Sequence, residues 1–247
     1  MSSDPQFTLA DCPALLLVGG LGVRLRSAYD DGPKAMAPVN GQPFLAYLLN
    51  SLARSGFRIV ILCVGYRSDQ IQRWLGDGAS FGLSVLYSEE TQAMGTGGAL
   101  QLAFSRYRLD RRFFAMNGDS ILQLDFHAMY REHIRAGSQA TMALARVDDS
   151  SRYGAVGLDD KGWVTSFKEK GGLPVAGYIN GGVYVFEPEV MDLVPSGRPV
   201  SLEQEILPQL AAQKLRAFQS AGYFIDIGVP ADFARAQTEL KELENWP

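Results

Sequence analysis

The chain has 247 residues, of which 47% are apolar and 20% are charged, and its formal net charge at pH 7 is −4. These values predict an ordinary globular protein with one large domain or two small ones. No apolar run approaches the roughly 18 residues of a membrane span, and an acidic chain disfavours nucleic-acid binding, which normally needs a basic face.

The start of the chain and its cysteines indicate the compartment. The first residues, MSSDPQFTLADCP, have neither a basic start nor a long apolar stretch, so no signal peptide is predicted. Cys12 and Cys63 could pair in principle, but Cys63 lies inside the apolar run IVILCV, where a reduced core thiol is favoured. We therefore expect a cytoplasmic protein.

Short apolar runs alternate with amphipathic segments through the first half of the chain. The strand-like runs are 14–18, 58–64, 83–87 and 112–117. The segments with apolar residues at helical spacing are 43–56, 68–78 and 97–108. This alternation predicts a mostly parallel sheet with helices on both faces. Ligands bind such sheets at the carboxyl ends of the strands, so the loops there form the expected site.

A glycine-rich loop follows the first predicted strand, in LLLVGGLGVRLR. Such a turn brings backbone N–H groups close to a ligand, and these groups bind phosphate. The candidates are Gly19, Gly20 and Gly22. The pattern is neither a P-loop nor G-x-G-x-x-G, so a plain tight turn is an equal alternative from the glycines alone.

Positive charge follows this loop directly. Arg24 and Arg26 come next, and Lys34 lies between Pro33 and Pro38, which stiffen the backbone around it. Cations held in this way suit a polyphosphate whose negative charge grows during a reaction. Solvated surface cations are the alternative interpretation.

From about residue 140 the pattern changes to shorter strands and hairpins. ATMALARV, YGAVGLDDKGWVTSFKEK and YINGGVYVFEP are strand-like, and DDKG predicts a turn. A helix over 201–214, a strand in AGYFIDIG and a helix over 231–244 are predicted next. We expect one continuous α/β domain over 1–247, whose second half adds a small antiparallel-containing lobe.

These motifs resemble those of the sugar-1-phosphate nucleotidyltransferases, in the same order along the whole chain. GGLGVRLR…GPKAMAPVNGQP is similar to the family's signature loop, SEETQAMGTGGAL to its base-contacting loop and NGDS to its metal-binding turn. FKEK and INGGVYVF are similar to its sugar-contacting strands, and FIDIGVPADFARAQ to its closing strand and helix. With its short length and the segments RLRSAYDD and FIDIGVPADF, the chain most resembles the guanylyltransferases of D-glycero-D-manno-heptose 1-phosphate. Two departures are Val23 in place of the usual threonine and a missing P-x-T after R-L-x.

The resemblance implies a Rossmann-like nucleotidyltransferase fold with a nucleotide-binding half over 1–139 and a sugar-phosphate-binding half over 140–247. It also implies transfer of GMP from GTP to a sugar 1-phosphate, which gives a GDP-sugar and pyrophosphate for surface polysaccharide synthesis. The attacking phosphate oxygen is already ionised and needs no general base, so positioning and charge neutralisation supply the acceleration. Arg24, Lys34 and a Mg²⁺ ion are the cations with that implied role.

The resemblance assigns three groups of site residues. The nucleotide-binding residues are Gly19, Gly20, Gly22, Arg24, Glu90, Gly95, Thr96 and Gly118. The sugar-phosphate-binding residues are Asp119, Gly154, Glu169, Lys170 and Asn180. The metal ligands are Asp119 and Asp226, each beside an apolar strand run, where burying an unpaired carboxylate is costly. A structural aspartate is the alternative for each.

Glu90 occupies the position from which the family reads the base. A carboxylate accepts hydrogen bonds and donates none, and guanine offers two adjacent donors on its pairing edge. Uracil and thymine place carbonyl oxygens beside their one N–H, so Glu90 predicts GTP. Glu89 and Gln92 are near enough to compete for this role.

The G-T-G-G of the same loop opens a predicted helix. Because Gly95, Gly97 and Gly98 have no side chain, we expect a nucleotide to approach the backbone closely at these positions.

His127 and His133, the only histidines, would point in different directions on a helix, and no further ligands complete a zinc set. Both are predicted to be surface residues.

Several alternatives stay open. Mannose-1-phosphate guanylyltransferase fits the same residues, whereas Glu90 disfavours a sugar-1-phosphate uridylyltransferase. A non-catalytic sugar-nucleotide-binding protein could lose Arg24, Lys34, Asp119 or Asp226, yet all four are present. A dehydrogenase is disfavoured because the acidic ribose-binding residue about 20 positions on is missing. The expected partners are GTP and a sugar 1-phosphate, with no nucleic acid or membrane, and a homodimer is among the open oligomeric states.

Overall fold

The computed structural model describes residues 8–20, 22–167, 175–211 and 214–242. The strands are β1 Ala14–Leu17, β2 Pro38–Val39, β3 Gln42–Pro43, β4 Ile59–Val64, β5 Ser84–Glu89, β6 Phe113–Asn117, β7 Ser120–Leu122, β8 Ala140–Val147, β9 Val156–Leu158, β10 Val164–Phe167, β11 Gly177–Phe186, β12 Leu215–Ser220 and β13 Phe224–Asp226. The helices are α1 Phe44–Arg54, α2 Ser68–Leu75, α3 Gly95–Arg106, α4 Phe126–Ala136, α5 Leu207–Leu210 and α6 Pro230–Glu242. Within these ranges, no helix has the length and apolar character needed to cross a membrane.

Seven strands form the central sheet, in the order β12-β8-β11-β6-β1-β4-β5. β1 pairs in parallel with β4 and β6, β4 pairs in parallel with β5, and β8 pairs in parallel with β12. β11 runs antiparallel to both of its neighbours, β6 and β8. The prediction of a mixed, mostly parallel sheet is confirmed. The chain moves from β1 to β4 and β5 on one side and then returns to β6 on the other, so a crevice for ligands is expected between β1 and β6.

Helices cover both faces of this sheet, as predicted. Successive side chains of a strand point to opposite faces, and β1 shows this directly. Leu16 packs in a core with α1, α2, α4 and α6, whereas Leu15 packs on the other face with α3 and α5. Both leucines are fully buried. The two cores hold the strand ends in fixed positions for the loops that follow them.

Three small antiparallel pairs, β2–β3, β9–β10 and β7–β13, lie beside the main sheet. The predicted DDKG turn joins β9 to β10, where the Asp159 carboxylate accepts hydrogen bonds from the backbone N–H groups of Lys161 at 3.0 Å and Trp163 at 2.8 Å. Pairing of β13 with β7 places Asp226 opposite Ser120. Two segments far apart in the chain thereby meet at the end of the sheet.

The structure differs from the sequence prediction in two places in the second half of the chain. The helix predicted over 201–214 is a π turn, Leu202–Ile206, followed by the single-turn helix α5. The next segment, β12, was not predicted as a strand, because LRAFQS contains no β-branched residue and local propensity gives no signal. Its pairing with β8 forms the strand instead.

The cysteines and one histidine are buried. Cys12 and Cys63 are both free, and burial raises the pKa of both thiols, that of Cys12 to about 12. The prediction that His133 is a surface residue is wrong, because its side chain is fully buried on α4. Its Nδ1 lies 2.9 Å from Thr141 Oγ1 and its Nε2 lies 3.3 Å from Glu187 Oε1. Burial lowers the pKa of His133 to about 4, so the ring is neutral at pH 7.

Candidate active site

Two neighbouring clefts open at the carboxyl ends of β1 and β6. The small cleft, of about 210 Å³, is lined by residues that include Gly20, Gly22, Arg24, Lys34, Gly118 and Asp119. The large cleft, of about 650 Å³, is lined by residues that include Gly19, Gly20, Glu90, Gln92, Gly95, Thr96, Asn117, Asp119 and Glu203. Gly20 and Asp119 border both clefts, so the clefts meet at the crevice that the strand order predicts.

The glycines after β1 serve two different purposes. A Cβ at Gly19 would lie 2.9 Å from Glu90 Oε1, and one at Gly22, where φ is 58°, would lie 3.1 Å from Lys34 Cβ. Gly20 is exposed, and a Cβ there would have no atom of the described chain within 4 Å. Gly19 and Gly22 therefore let the chain pack against itself, while Gly20 leaves open backbone between the clefts.

Gly118 makes a similar close contact after β6. Its N–H donates a hydrogen bond to the Leu17 carbonyl at 2.9 Å, and a Cβ would lie 2.7 Å from the same oxygen. Because a side chain does not fit there, glycine is needed for the turn to lie against β1. This packing places Asp119 beside the loop that follows β1.

Lys34 joins the two carboxylates that the sequence analysis assigned to a metal. Its Nζ lies 2.6 Å from Asp119 Oδ2 and 3.3 Å from Asp226 Oδ1. The lysine side chain is only 10% exposed, against 40% for Asp119 and 27% for Asp226. The Gly228 N–H also donates to Asp226 Oδ1, at 2.6 Å. We define Lys34, Asp119 and Asp226 as the charge cluster.

The charge cluster has one positive and two negative side chains. Burial, followed by the negative charge of Asp119, raises the pKa of Asp226 above its ordinary value, and Lys34 partly offsets that rise. The cluster therefore holds more negative charge than Lys34 compensates. A further cation would relieve the repulsion between the two carboxylates.

Arg24 borders the small cleft in a different state from Lys34. It lies in a 3₁₀ turn, Val23–Leu25, and its side chain is exposed. Within the part of the chain that the structure describes, Arg24 has no hydrogen-bond or ion-pair partner. The two predicted cations thus reach the same cleft, one fixed by carboxylates and one open to an anion.

Glu90 borders the large cleft with one oxygen of its carboxylate held. Oε2 accepts a hydrogen bond from the Met94 N–H at 2.7 Å, and burial raises the pKa of Glu90 although this bond opposes the rise. Oε1 has no hydrogen-bond partner among the described residues. Glu89 instead accepts a hydrogen bond from Ser68 Oγ at 2.6 Å and does not line the cleft. Of the three candidates, Glu90 and Gln92 therefore line the large cleft and Glu89 does not.

The expectation that Gly97 and Gly98 let a nucleotide approach the backbone is wrong. Both are buried, and both N–H groups donate to the Val200 carbonyl, at 2.9 and 3.3 Å. At Gly95, where φ is 70°, a Cβ would lie 2.5 Å from the same oxygen. These glycines admit the chain's own 200–202 segment rather than a ligand. Gly95 and Thr96 still border the large cleft.

Glu203 also borders the large cleft, and the sequence analysis missed it. It belongs to the π turn Leu202–Ile206, and its Oε2 accepts hydrogen bonds from Thr96 Oγ1 at 2.7 Å and Ser201 Oγ at 3.1 Å. The predicted helix over 201–214 gave no reason to place this side chain near the base-contacting loop. Its position depends on contacts between segments far apart in sequence.

The predicted sugar contacts are only partly described. Asn180 donates from Nδ2 to the Tyr184 hydroxyl at 2.6 Å and accepts at Oδ1 from a backbone N–H two residues later at 2.9 Å. Gly154 is a buried turn residue with a φ of 82°. Within the described part of the chain, neither lines the two clefts. Glu169 and Lys170 lie outside the described residues.

A second group of charged side chains joins the closing helix to the turn that precedes β9. Asp232, 2% exposed in the first turn of α6, pairs with Arg152 at 2.5 Å and with Arg235 at 3.1 Å. The Arg152 guanidinium lies 5.3 Å from the centre of the Tyr153 ring. An aspartate two residues after a proline at a helix start was the available sequence signal. This pairing fixes the loop before Gly154 against α6.

Comparisons with known proteins find relatives along most of this chain. The sequence profile described as nucleotidyl transferase matches residues 13–242. A D-glycero-alpha-D-manno-heptose 1-phosphate guanylyltransferase of Aneurinibacillus thermoaerophilus is 39% identical over 229 residues, which are 92% of this chain and 98% of that protein. A mannose-1-phosphate guanylyltransferase of Mycobacterium tuberculosis is 37% identical over 92% of this chain and 64% of its own length.

A solved structure gives the same result for the fold. The crystal structure of HddC from Yersinia pseudotuberculosis complexed with GMP-PN has a TM-score of 0.82 and 31% sequence identity, and the match covers 93% of this chain and 99% of that one. The fold prediction and the resemblance to sugar-1-phosphate nucleotidyltransferases are therefore confirmed. The profile extends over most of the described residues, including both clefts. This chain belongs to the nucleotidyl transferase family.

Proposed function

We propose that this chain is a sugar-1-phosphate guanylyltransferase, which transfers GMP from GTP to a sugar 1-phosphate and releases pyrophosphate. The observation that carries the proposal is the position of Glu90 in the large cleft, which meets the charge cluster at Asp119. The large cleft is thus lined by hydrogen-bond acceptors, and the small cleft is lined by charged side chains. The named activities of the similar guanylyltransferases support the same function.

Glu90 would select the base. Its free Oε1 and the remaining lone pairs of Oε2 can accept the ring N–H and the amino group of guanine together. A pyrimidine would instead bring a carbonyl oxygen towards the carboxylate. Because burial raises the pKa of Glu90, this carboxylate would be protonated at a higher pH than an exposed glutamate. Protonation would remove the preference for guanine.

The transfer itself needs charge neutralisation more than proton transfer. A phosphate oxygen of the sugar 1-phosphate attacks the α-phosphorus of GTP, and the bond from that phosphorus to the β-phosphate oxygen breaks. Both reactants are anions, so Arg24 and Lys34 would offset charge that is concentrated in the transition state. Open backbone at Gly20, between the clefts, would lie against the phosphates.

The charge cluster fits a Mg²⁺ ion. Asp119 and Asp226 supply adjacent, partly exposed oxygen donors, and no cluster of three His, Cys, Asp or Glu side chains suited to a metal exists among the described residues. Mg²⁺ is usually held by one or two carboxylates together with substrate phosphates, which matches this donor set. When bound, the ion would stabilise negative charge on the transferring phosphoryl group.

For the acceptor we propose D-glycero-α-D-manno-heptose 1-phosphate, as in the relative from A. thermoaerophilus. Mannose 1-phosphate is the second candidate, because the M. tuberculosis relative is nearly as similar. The predicted contacts of the sugar 1-phosphate stay Asp119, Gly154, Glu169, Lys170 and Asn180. A role in surface polysaccharide synthesis, a cytoplasmic location and a homodimer also stay predictions.

The test is pyrophosphate release from a matrix of nucleotides and acceptors. GTP, UTP, dTTP and ATP are each combined with the heptose 1-phosphate, mannose 1-phosphate and glucose 1-phosphate, in the presence of Mg²⁺. We expect the highest kcat/KM for GTP with the heptose 1-phosphate. A preference for mannose 1-phosphate would change the acceptor only, whereas release of no pyrophosphate from any pair would favour a non-catalytic sugar-nucleotide-binding protein.

A further inference from the structure

The Glu203 side chain has one oxygen fixed and one oxygen free. Oε2 accepts both hydroxyls, from Thr96 and Ser201, whereas Oε1 has no hydrogen-bond partner in the described ranges. No lysine or arginine of those ranges pairs with this carboxylate. Glu203 therefore presents an uncompensated acceptor at the wall of the large cleft.

The surroundings hold this carboxylate rigidly. The Leu202 N–H donates to Thr96 Oγ1 at 2.8 Å, so one hydroxyl joins the π turn to the first turn of α3. The Val200 N–H donates to the Met94 carbonyl at 2.8 Å, which adds a second link between the same segments. π turns within helices occur frequently at functional sites. A carboxylate fixed in this way can be complementary to one position of a ligand.

We infer that Glu203 is a specificity-determining residue of the large cleft, whose free oxygen accepts a hydrogen bond from a ring hydroxyl of a bound substrate. The inference rests on the proposed function. A carboxylate without a cation repels phosphate oxygens, so its partner must be a donor. The large cleft meets the charge cluster at Asp119, so the available donors are the ribose hydroxyls of the nucleotide and the ring hydroxyls of the sugar 1-phosphate.

Glu203→Gln tests this role with little change to the protein. The amide oxygen can accept both hydroxyl hydrogen bonds, which leaves the NH₂ group facing the cleft in place of a charged acceptor. Glu205→Gln is the matched control, because the Glu205 carboxylate binds the Ser201 N–H at 3.0 Å and Arg198 at 2.7 Å and does not line the cleft. Glu203→Asp, which keeps the charge but withdraws it by one methylene, is the second variant if the amide lowers the melting temperature.

The measurements are kcat and KM for the sugar 1-phosphate, GTP, 2′-deoxy-GTP and 3′-deoxy-GTP with the wild type and the three variants. Loss of a charge-assisted hydrogen bond is expected to lower kcat/KM about tenfold for the substrate that makes it. A rise in KM for the sugar 1-phosphate alone assigns the hydroxyl to the acceptor. Loss of discrimination against one deoxynucleotide assigns it to the ribose.

The inference would be overturned if kcat and KM of Glu203→Gln and Glu203→Asp equalled those of Glu205→Gln within about twofold. An active wild type would still uphold the proposed function in that case. If the wild type releases no pyrophosphate, the proposed function fails separately. Calorimetric titration of the same variants with GTP and with the sugar 1-phosphate then decides the inference. Equal affinities of wild type and Glu203→Gln for both ligands would overturn it.

Discussion

The two clefts hold carboxylates in opposite ways. Beside the small cleft, which Lys34 and Asp119 line, the carboxylates of Asp119 and Asp226 share the ammonium group of Lys34, so charged groups hold one another. In the large cleft, Glu90 is held by a backbone N–H and Glu203 by two hydroxyls, all of them neutral donors. The small cleft is therefore lined by paired charges and the exposed Arg24, whereas the large cleft is suited to accepting hydrogen bonds from uncharged parts of a substrate.

This difference predicts different responses to substitution. Changes of charge in the small cleft should act mainly on turnover, because negative charge is concentrated there in the transition state. Changes of hydrogen-bonding pattern in the large cleft should act mainly on the choice of substrate. The expected effects decrease from the two proposed metal ligands, through the two cations, to His133 at the end of the sheet opposite the clefts.

Removing either carboxylate charge of the charge cluster should give the largest loss of turnover. Asp119→Asn and Asp226→Asn are each expected to lower kcat about 100- to 1,000-fold, because a preorganised electrostatic contribution is lost. Pyrophosphate release at saturating substrates and Mg²⁺ measures this, with circular dichroism to confirm folding. The control is Asp160→Asn, at an exposed turn. Near-normal rates for both variants, or full wild-type activity in excess chelator, would remove the metal assignment.

The two cations should have similar effects on turnover and different effects on stability. Lys34→Ala and Arg24→Ala are each expected to lower kcat about 100-fold, with a smaller change in the KM for GTP. Lys34→Ala should also lower the free energy of unfolding by about 1–2 kcal/mol, because it leaves two carboxylates without their shared cation. Arg24→Ala should leave it unchanged, since Arg24 has no partner in the described chain.

Steady-state kinetics and urea unfolding of both variants check this contrast. A change confined to KM would show that both residues bind substrate and do not act on turnover. If Arg24→Ala lowered the free energy of unfolding as much as Lys34→Ala does, this would contradict the claim that Lys34 is held by carboxylates and Arg24 is not.

The smallest effect on turnover is expected at His133, at the end of the sheet opposite the clefts. Its pKa falls from 6.5 to about 4 on burial, so the unfolded chain binds a proton that the folded chain excludes. The free energy of unfolding is therefore at its full value above pH 6.5. It falls by on the order of 3 kcal/mol as the pH falls from 6.5 towards 4, because only the unfolded chain takes up the proton in that range. His133→Gln should flatten this part of the unfolding profile and leave kcat at pH 7.5 unchanged.

Unfolding free energies at several pH values between 4 and 7.5 measure the slope for both proteins. Glu187 and Arg112 are the charged groups that face the ring, and they act in opposite directions. An identical slope in wild type and variant would show that His133 does not titrate as its burial requires.

The sheet was predictable because its strands carry their own signal. The run that became β4 is apolar throughout and rich in β-branched residues, and strand-like runs alternate with amphipathic segments around it. The glycine loop, Lys34 and both aspartates were also found from local pattern and family resemblance. That these side chains meet depends on the pairing of β13 with β7, which no local pattern encodes.

The remaining features depend on contacts between distant segments. Gly97 and Gly98 both donate to the Val200 carbonyl, and that contact is invisible until the 200–202 segment is placed. His133 is buried because Thr141 and Glu187 surround it, although a histidine is usually exposed. Glu203 reaches the cleft by the same kind of packing. Sequence thus indicated which residue types the chemistry needs and missed residues positioned by tertiary structure.

The most direct test of the account is the nucleotide preference of the wild type, Glu90→Gln and the matched control Glu89→Gln, whose carboxylate binds Ser68 outside the cleft. The measurement is kcat/KM for GTP, inosine triphosphate and UTP with a saturating sugar 1-phosphate. We predict that wild type and Glu89→Gln prefer GTP over UTP by about 100-fold or more, with inosine triphosphate between them, and that Glu90→Gln narrows the ratio about tenfold or more. A wild-type preference for UTP, or a GTP-to-UTP ratio unchanged by Glu90→Gln, would contradict the assignment of Glu90 to guanine.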